Sequence, residues 1–314
     1  MTTVITAASG VLPPAGQSGC TAVGLAALAA RDCLATARLA PQSVGALINV
    51  GVYREANTFE PAMAALIQKE VGINLDYLAN PGPAAFSFDL MNGACGVLNA
   101  VQVAQALLET ASCDRVLVTA ADVHPGGCAG DDPLYPYADL GGALLLERGT
   151  QPDRGFGRVR TWSRQGDPAV AGHLETATMG AGGRAVVTVV RDADREERLL
   201  EFTASVVADY ARAEGLDLAR TLVLCGRPAP DFGARLASCL NLDAAQVLAS
   251  APPGPSMEGT GEAHTAGPVL GYLQATAAGL PAGTEQLLLV TAGAGLSAAC
   301  ASYRPPLETG DTAL

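Results

Sequence analysis

The sequence has very few side chains that can exchange protons near neutral pH. Among its 314 residues only three are histidines, at positions 124, 173 and 264. A cysteine or serine nucleophile normally needs a base beside it, so a mechanism of that kind must draw on this small set. Histidine and cysteine also form no cluster with the spacing of metal ligands, and no metal site is predicted.

Motifs for nucleotide binding and for serine hydrolases are missing as well. The sequence contains no P-loop and no Gly-x-Ser-x-Gly elbow. The stretch TAGAGLSAA at 291–299 lacks the full Gly-x-Gly-x-x-Gly spacing, and no further βαβ unit follows it. It predicts a tight turn that lines a cleft. No permanently bound cofactor is expected.

Charge is low and predominantly negative. Charged residues make up 16% of the chain and the formal net charge is −12, which argues against nucleic acid or an anionic membrane as the main partner. No apolar run approaches the length of a bilayer span, and no basic N-terminal leader precedes one. We expect a soluble cytoplasmic protein. An acidic carrier protein would need a local basic patch to dock.

The eight cysteines contain no Cys-x-x-Cys pair, which predicts reduced thiols and not a disulfide or zinc framework. Cys95 has a distinctive context in FSFDLMNGACGVLNAVQVAQALLE, between a strand-like run and an apolar-periodic helix predicted from about Gly93 to Thr110. A helix N-terminus is expected to lower the pKa of its thiol. The small neighbours let a substrate carbonyl approach the backbone. We therefore predict Cys95 as a nucleophile and not a packing residue.

Strands and helices alternate along the chain, which predicts an α/β fold with a mostly parallel sheet covered by helices. The order then repeats. The helix starting at Cys95 leads into the strand VLVTAAD after nearly as many residues as separate His264 from the strand LLLVTAG. This repeat predicts two similar halves, 1–150 and 151–314. If they pack through equivalent helices, Cys95 of the first half and His264 of the second converge on one site.

The repeat makes His264 the favoured base for Cys95. His124 follows the strand VLVTAADV and is a possible site residue at a strand end, with a surface-loop position as the alternative. His173 stands in a polar, glycine-rich stretch and is predicted to be structural. Asp122 and Glu262 could act as acid or base groups, although exposure to solvent is the default expectation for a carboxylate.

The segment from FSFDL through NGACG to VLVTAAD resembles the nucleophile region of ketoacyl-ACP synthase III enzymes, within the thiolase superfamily. LGGALLLER and LLLVTAGAGLSAACASY resemble a further strand, the closing glycine-rich segment and the last strand of that family. The resemblance covers about residues 20–303. It implies the thiolase-like five-layered αβαβα fold made of two duplicated halves, and a homodimer.

The same resemblance implies a chemistry. Cys95 would be acylated by a thioester of CoA or of an acyl carrier protein. Backbone N–H groups of Cys95 and of the closing loop, Gly293, Ala294, Gly295 and Leu296, would hold the oxyanion. In the family a histidine and an asparagine complete the triad and promote decarboxylation of malonyl-ACP.

The sequence departs from the family at both of these partners. The family histidine lies just after the strand matching TLVLCGRPAPDF, where this chain has Cys225, Gly226 and Arg227. The family asparagine lies in a segment matching GEAHTAG, where this chain offers Glu262 or His264. Cys225 and Glu262 are therefore kept as possible site residues. The N-terminal segment that carries part of the family's CoA-contacting surface is largely absent.

Three functions follow from this pattern. The first is an acyltransferase in which Cys95 takes an acyl group from a thioester and His264 acts as general base for an acceptor. The second is a decarboxylative ketoacyl-ACP synthase of fatty-acid or polyketide biosynthesis, with His264 covering both family roles. The third is a non-catalytic partner subunit of a ketosynthase-like heterodimer, against which the retained Cys95 argues.

Overall fold

In the computed structural model the chain forms two β-sheets with helices between and outside them. The structure describes residues 2–14, 20–58, 60–75, 84–127, 132, 134–177, 180, 183–252, 261–293 and 295–307. The α-helices in these ranges are α1 (Ala22–Thr36), α2 (Met63–Val71), α3 (Gly96–Glu109), α4 (Arg195–Glu214), α5 (Phe232–Leu240) and α6 (Gly267–Ala278). Within these ranges, no helix combines the length and the apolar character needed to span a membrane.

The first sheet is built entirely by the first half of the chain. Its strands are β1 (Thr2–Val11), β2 (Ala46–Asn49), β3 (Phe86–Asp89), β4 (Arg115–Asp122) and β5 (Leu140–Gly149). They lie in the order β1-β5-β4-β2-β3. β2 pairs in parallel with both β3 and β4, whereas β5 is antiparallel to its neighbours β1 and β4.

The second sheet belongs to the second half. The strands after residue 150 are β6 (Gly155–Phe156), β7 (Arg160–Ser163), β8 (Val170–His173), β9 (Thr188–Arg191), β10 (Thr221–Cys225), β11 (Val247–Ala249), β12 (Gln286–Gly293) and β13 (Ser297–Arg304). The sheet order is β11-β10-β12-β13-β6, with β7 also paired to β13. β8 and β9 form a separate two-stranded hairpin.

Both sheets are mixed, which corrects the prediction of a mostly parallel sheet. β12 and β13 pair antiparallel because only residues 294–296 connect them, and a parallel pair needs a much longer crossover. β4 and β5 also pair antiparallel in the first half, although the longer segment 123–139 connects them. The prediction counted alternating elements but did not weigh the short connection between β12 and β13.

The helices complete five layers. α1 and α2 cover the outer face of the first sheet, in an apolar cluster rich in the alanines of α1. α4 and α5 cover the outer face of the second sheet. α3 and α6 lie between the sheets, contact each other and share the largest apolar cluster. The predicted thiolase-like αβαβα architecture is confirmed.

Side-chain hydrogen bonds hold the end of β3, from which the chain enters the Cys95 turn. Asp89 accepts hydrogen bonds from the backbone N–H groups of Met63 and Ala64, both at 2.9 Å. These donors are otherwise unpaired because they begin α2. Asn49 Nδ2 also donates to Asp89 at 2.9 Å. The segment leading to Cys95 is thus tied to both α2 and β2.

We expect Gly51→Ala to lower the free energy of unfolding by about 1–3 kcal/mol. A Cβ atom at Gly51 would lie 2.1 Å from the carbonyl oxygen of Ala121, and a strand carbonyl has little freedom to retreat. Urea unfolding followed by circular dichroism measures the change. Gly271→Ala within α6 is the control, because its Cβ would meet only ordinary contacts, 3.4 Å from Leu224. A wild-type midpoint for Gly51→Ala would contradict this packing.

Candidate active site

Two short turns bring the candidate nucleophile and base to one place. Gly93–Cys95 forms a 3-10 turn directly before α3, and His264–Ala266 forms the equivalent turn before α6. The two turns pack against each other where the halves meet. A Cβ atom built on Gly93 would lie 3.6 Å from His264 Nε2. The convergence predicted from the repeat is therefore present.

Cys95 is completely buried. Its thiol lies 3.9 Å from Ser297 Oγ, and Thr291 and the backbone of Gly293 also hydrogen-bond to the sulfur. Burial outweighs these contacts and raises the pKa of the Cys95 thiol above its ordinary value. This corrects the expected lowering by the helix terminus, because desolvation opposes the thiolate. The Cys95 N–H donates to Asn92 at 3.0 Å, so the predicted oxyanion role does not suit it.

His264 is held by a carboxylate from the opposite half. Its Nδ1 lies 2.8 Å from Asp122 Oδ2, and both residues are buried. An ionised carboxylate accepts only, so the pairing places a proton on Nδ1 and leaves Nε2 as the basic nitrogen. Nε2 faces the turn that carries Cys95, beside Gly93. Within the described contacts, no hydrogen bond joins the Cys95 sulfur directly to His264.

The carboxylate of Asp122 accepts five hydrogen bonds. Oδ1 accepts from the N–H groups of Val52 and Tyr53, each at 2.8 Å. Oδ2 accepts from His264, from the Thr265 hydroxyl at 2.6 Å and from the Thr265 N–H at 3.3 Å. Burial alone would favour the neutral acid, but the imidazole and these donors hold the pKa of Asp122 below its ordinary value. The expectation of an exposed carboxylate is wrong here.

Aromatic rings enclose the imidazole. Tyr137 stacks on His264 with ring centroids 3.9 Å apart and an interplanar angle of 26°. Tyr53 lies at 5.6 Å on the same imidazole and packs edge-on against Tyr135. Tyr135 and Tyr137 are themselves nearly fully buried. These rings restrict the imidazole to one plane, so the Nε2 direction is fixed by packing as well as by Asp122.

An open cleft leads to this imidazole. It comprises about 350 Å³ of space, part of it open to solvent, and is lined by Ala94, Leu224, Cys225, Gly226, Glu262, Ala263, His264, Gly267, Pro268, Val290, Thr291 and Ala292. Most of these side chains are small or apolar. Ala94 lines the cleft, whereas its neighbour Cys95 is fully buried and is not among the lining residues. The tight turn that follows β12 was predicted to line a cleft, and the strand end leading into it, Thr291 and Ala292, does so.

Two of the possible site residues, Cys225 and Glu262, line this cleft together. Cys225 is the last residue of β10. Burial, and to a smaller extent the nearby Glu262 carboxylate, raises the pKa of the Cys225 thiol to about 12. Burial also raises the pKa of Glu262 above its ordinary value, against the opposing effects of His264 and Arg195. The carboxyl faces Gly226, where a Cβ atom would lie 3.0 Å from Glu262 Oε1. Glu262 is partly buried, not freely exposed as expected.

The other two histidines are engaged elsewhere. His124 is buried and not in a surface loop, with Nε2 3.3 Å from Asp132 and Nδ1 accepting from the Gly126 N–H at 3.0 Å. Both ring nitrogens are thus occupied, and the structure does not bring His124 to the Cys95 turn. His173 lies exposed on the β8–β9 hairpin and pairs with Glu175 at 3.0 Å.

The predicted oxyanion loop is present in part. Leu296 is buried, and its N–H donates to the Gly293 carbonyl at 3.0 Å to close the turn. This N–H is therefore not available to an oxyanion. The Gly293 backbone already hydrogen-bonds to the Cys95 sulfur. Gly295 has open space beside it, and it stays a predicted donor. Ala294 lies outside the described residues.

The sequence interpretation missed Asp122 as the partner of His264. One signal could have found it. Asp122 is the last residue of β4, the strand that follows the Cys95 helix, and chemistry-bearing residues in α/β folds gather where strands end. The stacking role of Tyr137 had no comparable signal. Seven of the eight cysteines are described and all are free thiols, whereas Cys128 lies outside the described residues.

Comparison with known proteins gives partial matches in sequence. No known protein-family model matches the chain. A beta-ketoacyl-[acyl-carrier-protein] synthase III of Streptomyces coelicolor is 28% identical over 178 residues, covering 54% of this chain and 47% of that protein. A synthase of the same name from Cereibacter sphaeroides is 33% identical over 144 residues, covering 44% of this chain and 41% of that protein. The chain thus spans about half the length of these relatives or less.

The match in structure is nearly complete. The crystal structure of 3-oxoacyl-(acyl carrier protein) synthase III from Pseudomonas aeruginosa superposes with a TM-score of 0.79. The alignment covers 98% of this chain and 99% of that one. The sequence identity is 18%, so the match supports a shared fold and nothing more. The chain thus shares the fold of this synthase, and about half of its length is similar in sequence to beta-ketoacyl-[acyl-carrier-protein] synthases III.

Proposed function

We propose that the protein is an acyltransferase that loads an acyl group from a thioester onto Cys95 and passes it to an acceptor. The observation that carries the proposal is the buried Asp122–His264 pair, whose free Nε2 faces the Cys95 turn. A nucleophile, a base and a group that orients the base are the three parts that covalent acyl transfer needs.

The raised pKa of Cys95 makes this base necessary. A buried thiol is protonated at neutral pH and is a weak nucleophile until its proton is removed. His264 Nε2 takes that proton, and the ionised Asp122 stabilises the imidazolium that results. Tyr137 keeps the ring plane fixed during the transfer. The imidazolium gives this proton to the departing thiolate of the donor, and the neutral imidazole then accepts the proton of the incoming acceptor.

A thioester of CoA or of an acyl carrier protein suits Cys95 as the acyl donor. Exchange between a thioester and a thiol forms a bond of the same kind as the one it breaks, so the acyl-enzyme keeps the reactivity that the second step needs. The carbonyl oxygen of the acyl group gains negative charge in both steps. The Gly295 N–H is the donor we assign to it, beside the sulfur held by Gly293 and Ser297.

Decarboxylative condensation is the second candidate. It is favoured by the names of the two matched relatives, both beta-ketoacyl-[acyl-carrier-protein] synthases. Against it, Cys225 and Gly226 stand where the family resemblance implies a second histidine, and Cys225 offers a protonated thiol there. Release of carbon dioxide from malonyl-ACP that disappears in His264→Gln would establish condensation in place of simple acyl transfer.

A homodimer is part of the proposal. β3 forms one end of the first sheet, so one edge of it is unpaired among the described strands. Phe86 on that strand and Met91 just after it are large apolar side chains exposed by 43% and 55%. Edge strands of this kind are normally covered. Light scattering coupled to gel filtration should give twice the chain mass, and a monomer at micromolar concentration would contradict the assignment.

Incubation with acyl thioesters should modify Cys95. Intact mass spectrometry after mixing with acetyl-CoA, malonyl-CoA and the matching carrier-protein thioesters should show one acyl adduct on the wild-type protein. Cys95→Ala should show none, because the adduct needs the thiol that the His264 turn faces. Cys225→Ala, which removes the thiol that lines the cleft, should still be acylated. An adduct that survives Cys95→Ala, or no wild-type adduct with any donor, would refute the proposal.

Asp122→Asn should slow acylation of Cys95 by about 10²- to 10⁴-fold. Asparagine keeps an oxygen for the Val52 and Tyr53 N–H groups but removes the charge that stabilises the imidazolium. His264→Gln should show a loss of the same order. Rapid-quench mass spectrometry gives the rates.

The matched control is His173→Asn, which changes a histidine on the exposed hairpin and should acylate at the wild-type rate. Far-ultraviolet circular dichroism confirms that each variant is folded. Wild-type acylation by a folded Asp122→Asn protein would show that the carboxylate serves packing alone.

A further inference from the structure

The carboxyl group of Glu262 has no established task in the site. No hydrogen bond or ion pair of this side chain occurs among the described residues, although it lines the same cleft as His264. Its neighbours there are mostly apolar or small. The partly buried carboxyl loses part of its solvation there without gaining a protein partner. That arrangement is typical of a group kept for a ligand.

The backbone fixes where this carboxyl points. Glu262 donates its N–H to the carbonyl of Pro136 at 2.8 Å and accepts from the N–H of Ala138 at 3.0 Å. These bonds form an isolated parallel bridge with Tyr137, the residue that stacks on His264. The carboxyl and the imidazole therefore share one anchor, and their positions relative to each other are set together.

Glu262 also stands where two cavities meet. The second cavity comprises about 240 Å³ of space, part of it open to solvent, and shares with the first Cys225, Gly226, Glu262, Val290 and Ala292. Its remaining walls are Leu199 and Thr203 of α4, Pro228, and Phe232 of α5. Gly226 leaves room beside the carboxyl, since a Cβ atom there would lie 3.0 Å from Glu262 Oε1. Glu262 lines both spaces, whereas His264 lines only the first.

We propose that Glu262 binds the hydroxyl group of a neutral alcohol acceptor and holds it beside His264 Nε2 for attack on the acylated Cys95. This inference rests on the proposed acyltransferase function and names its acceptor class. The alcohol oxygen accepts a hydrogen bond from the Glu262 carboxyl, while its own proton points to the imidazole. The body of the acceptor occupies the apolar second cavity.

The reaction balances with these groups alone. The alcohol oxygen forms a bond to the acyl carbon as its proton moves to His264 Nε2. The carbon–sulfur bond of the acyl-enzyme then breaks, and the imidazolium returns the proton to the Cys95 sulfur. The products are an ester and the free thiol. No oxidant, reductant or further reactant is needed.

The chemistry of the carboxyl favours an alcohol over an amine. Burial raises the pKa of Glu262, so the group tends toward its neutral form, which donates one hydrogen bond and accepts others. An amine is an ammonium ion near neutral pH and would need an anionic partner. The positive charge of Arg195 acts on the same carboxyl and would repel the ammonium ion.

The test separates the two half-reactions. The acyl-enzyme is formed first with a thioester that loads Cys95 and freed of excess donor. It is then mixed with 1-butanol or n-butylamine, two probes of matched size, and loss of the adduct is followed by intact mass. The variants are Glu262→Leu, Glu262→Gln and, as control on the exposed face of α4, Glu201→Leu. Circular dichroism checks that each is folded.

Wild-type acyl-enzyme should be discharged by 1-butanol faster than by buffer or by n-butylamine. Glu262→Leu should load Cys95 at a rate within about threefold of wild type but discharge to 1-butanol about 10- to 100-fold more slowly, as expected for one lost hydrogen bond. Glu262→Gln should restore discharge to within about threefold, because an amide also donates and accepts. Glu201→Leu should match wild type in both steps.

Two results would overturn this inference while leaving the proposed acylation intact. One is an acyl-enzyme that 1-butanol discharges no faster than buffer does. The other is Glu262→Leu slowing loading and discharge equally, which would indicate a structural role. Failure of wild-type Cys95 to load at all would instead refute the proposed function, and with it this assignment.

Discussion

The hydrogen bond between Asp122 and His264 is the interaction on which the candidate site depends. Asp122 ends a strand of the first sheet and His264 opens a helix attached to the second half, 142 residues away. Neither half alone contains both partners. The site therefore exists only when the two sheets are packed on α3 and α6, so folding of the interface and assembly of the base are one event.

Two carboxyl groups, the buried Asp122 and the partly buried Glu262, flank the same imidazole in opposite circumstances. Asp122 is surrounded by donors and is stabilised as an anion, whereas Glu262 meets almost none and is driven toward the neutral acid. Environments that push two pKa values apart are how one site assigns acid and base roles. Both side chains carry the same functional group, so the surroundings and not the residue type decide the direction in which each pKa is shifted.

The fold and two of the site residues follow from the sequence for a physical reason. Alternating elements and an internal repeat specify layers, and the repeat places Cys95 and His264 at equivalent helix starts. The role of Asp122 as the buried partner of His264 could not be inferred from the sequence, because burial of a carboxylate depends on chain segments far away in the sequence. The pKa of Cys95 was predicted with the wrong sign for the same reason. A local dipole can be read from the sequence, whereas the desolvation that outweighs it comes from tertiary packing.

The backbone of His264 has a left-handed conformation, with φ of 39°. A non-glycine residue in such a region carries strain of about 1–3 kcal/mol, and here its bond to Asp122 and its stacking on Tyr137 keep it in place. Glycine would adopt the same turn without that strain. Replacement of His264 by glycine would thus relieve the strain but remove the imidazole, so selection for activity must oppose this stabilising substitution.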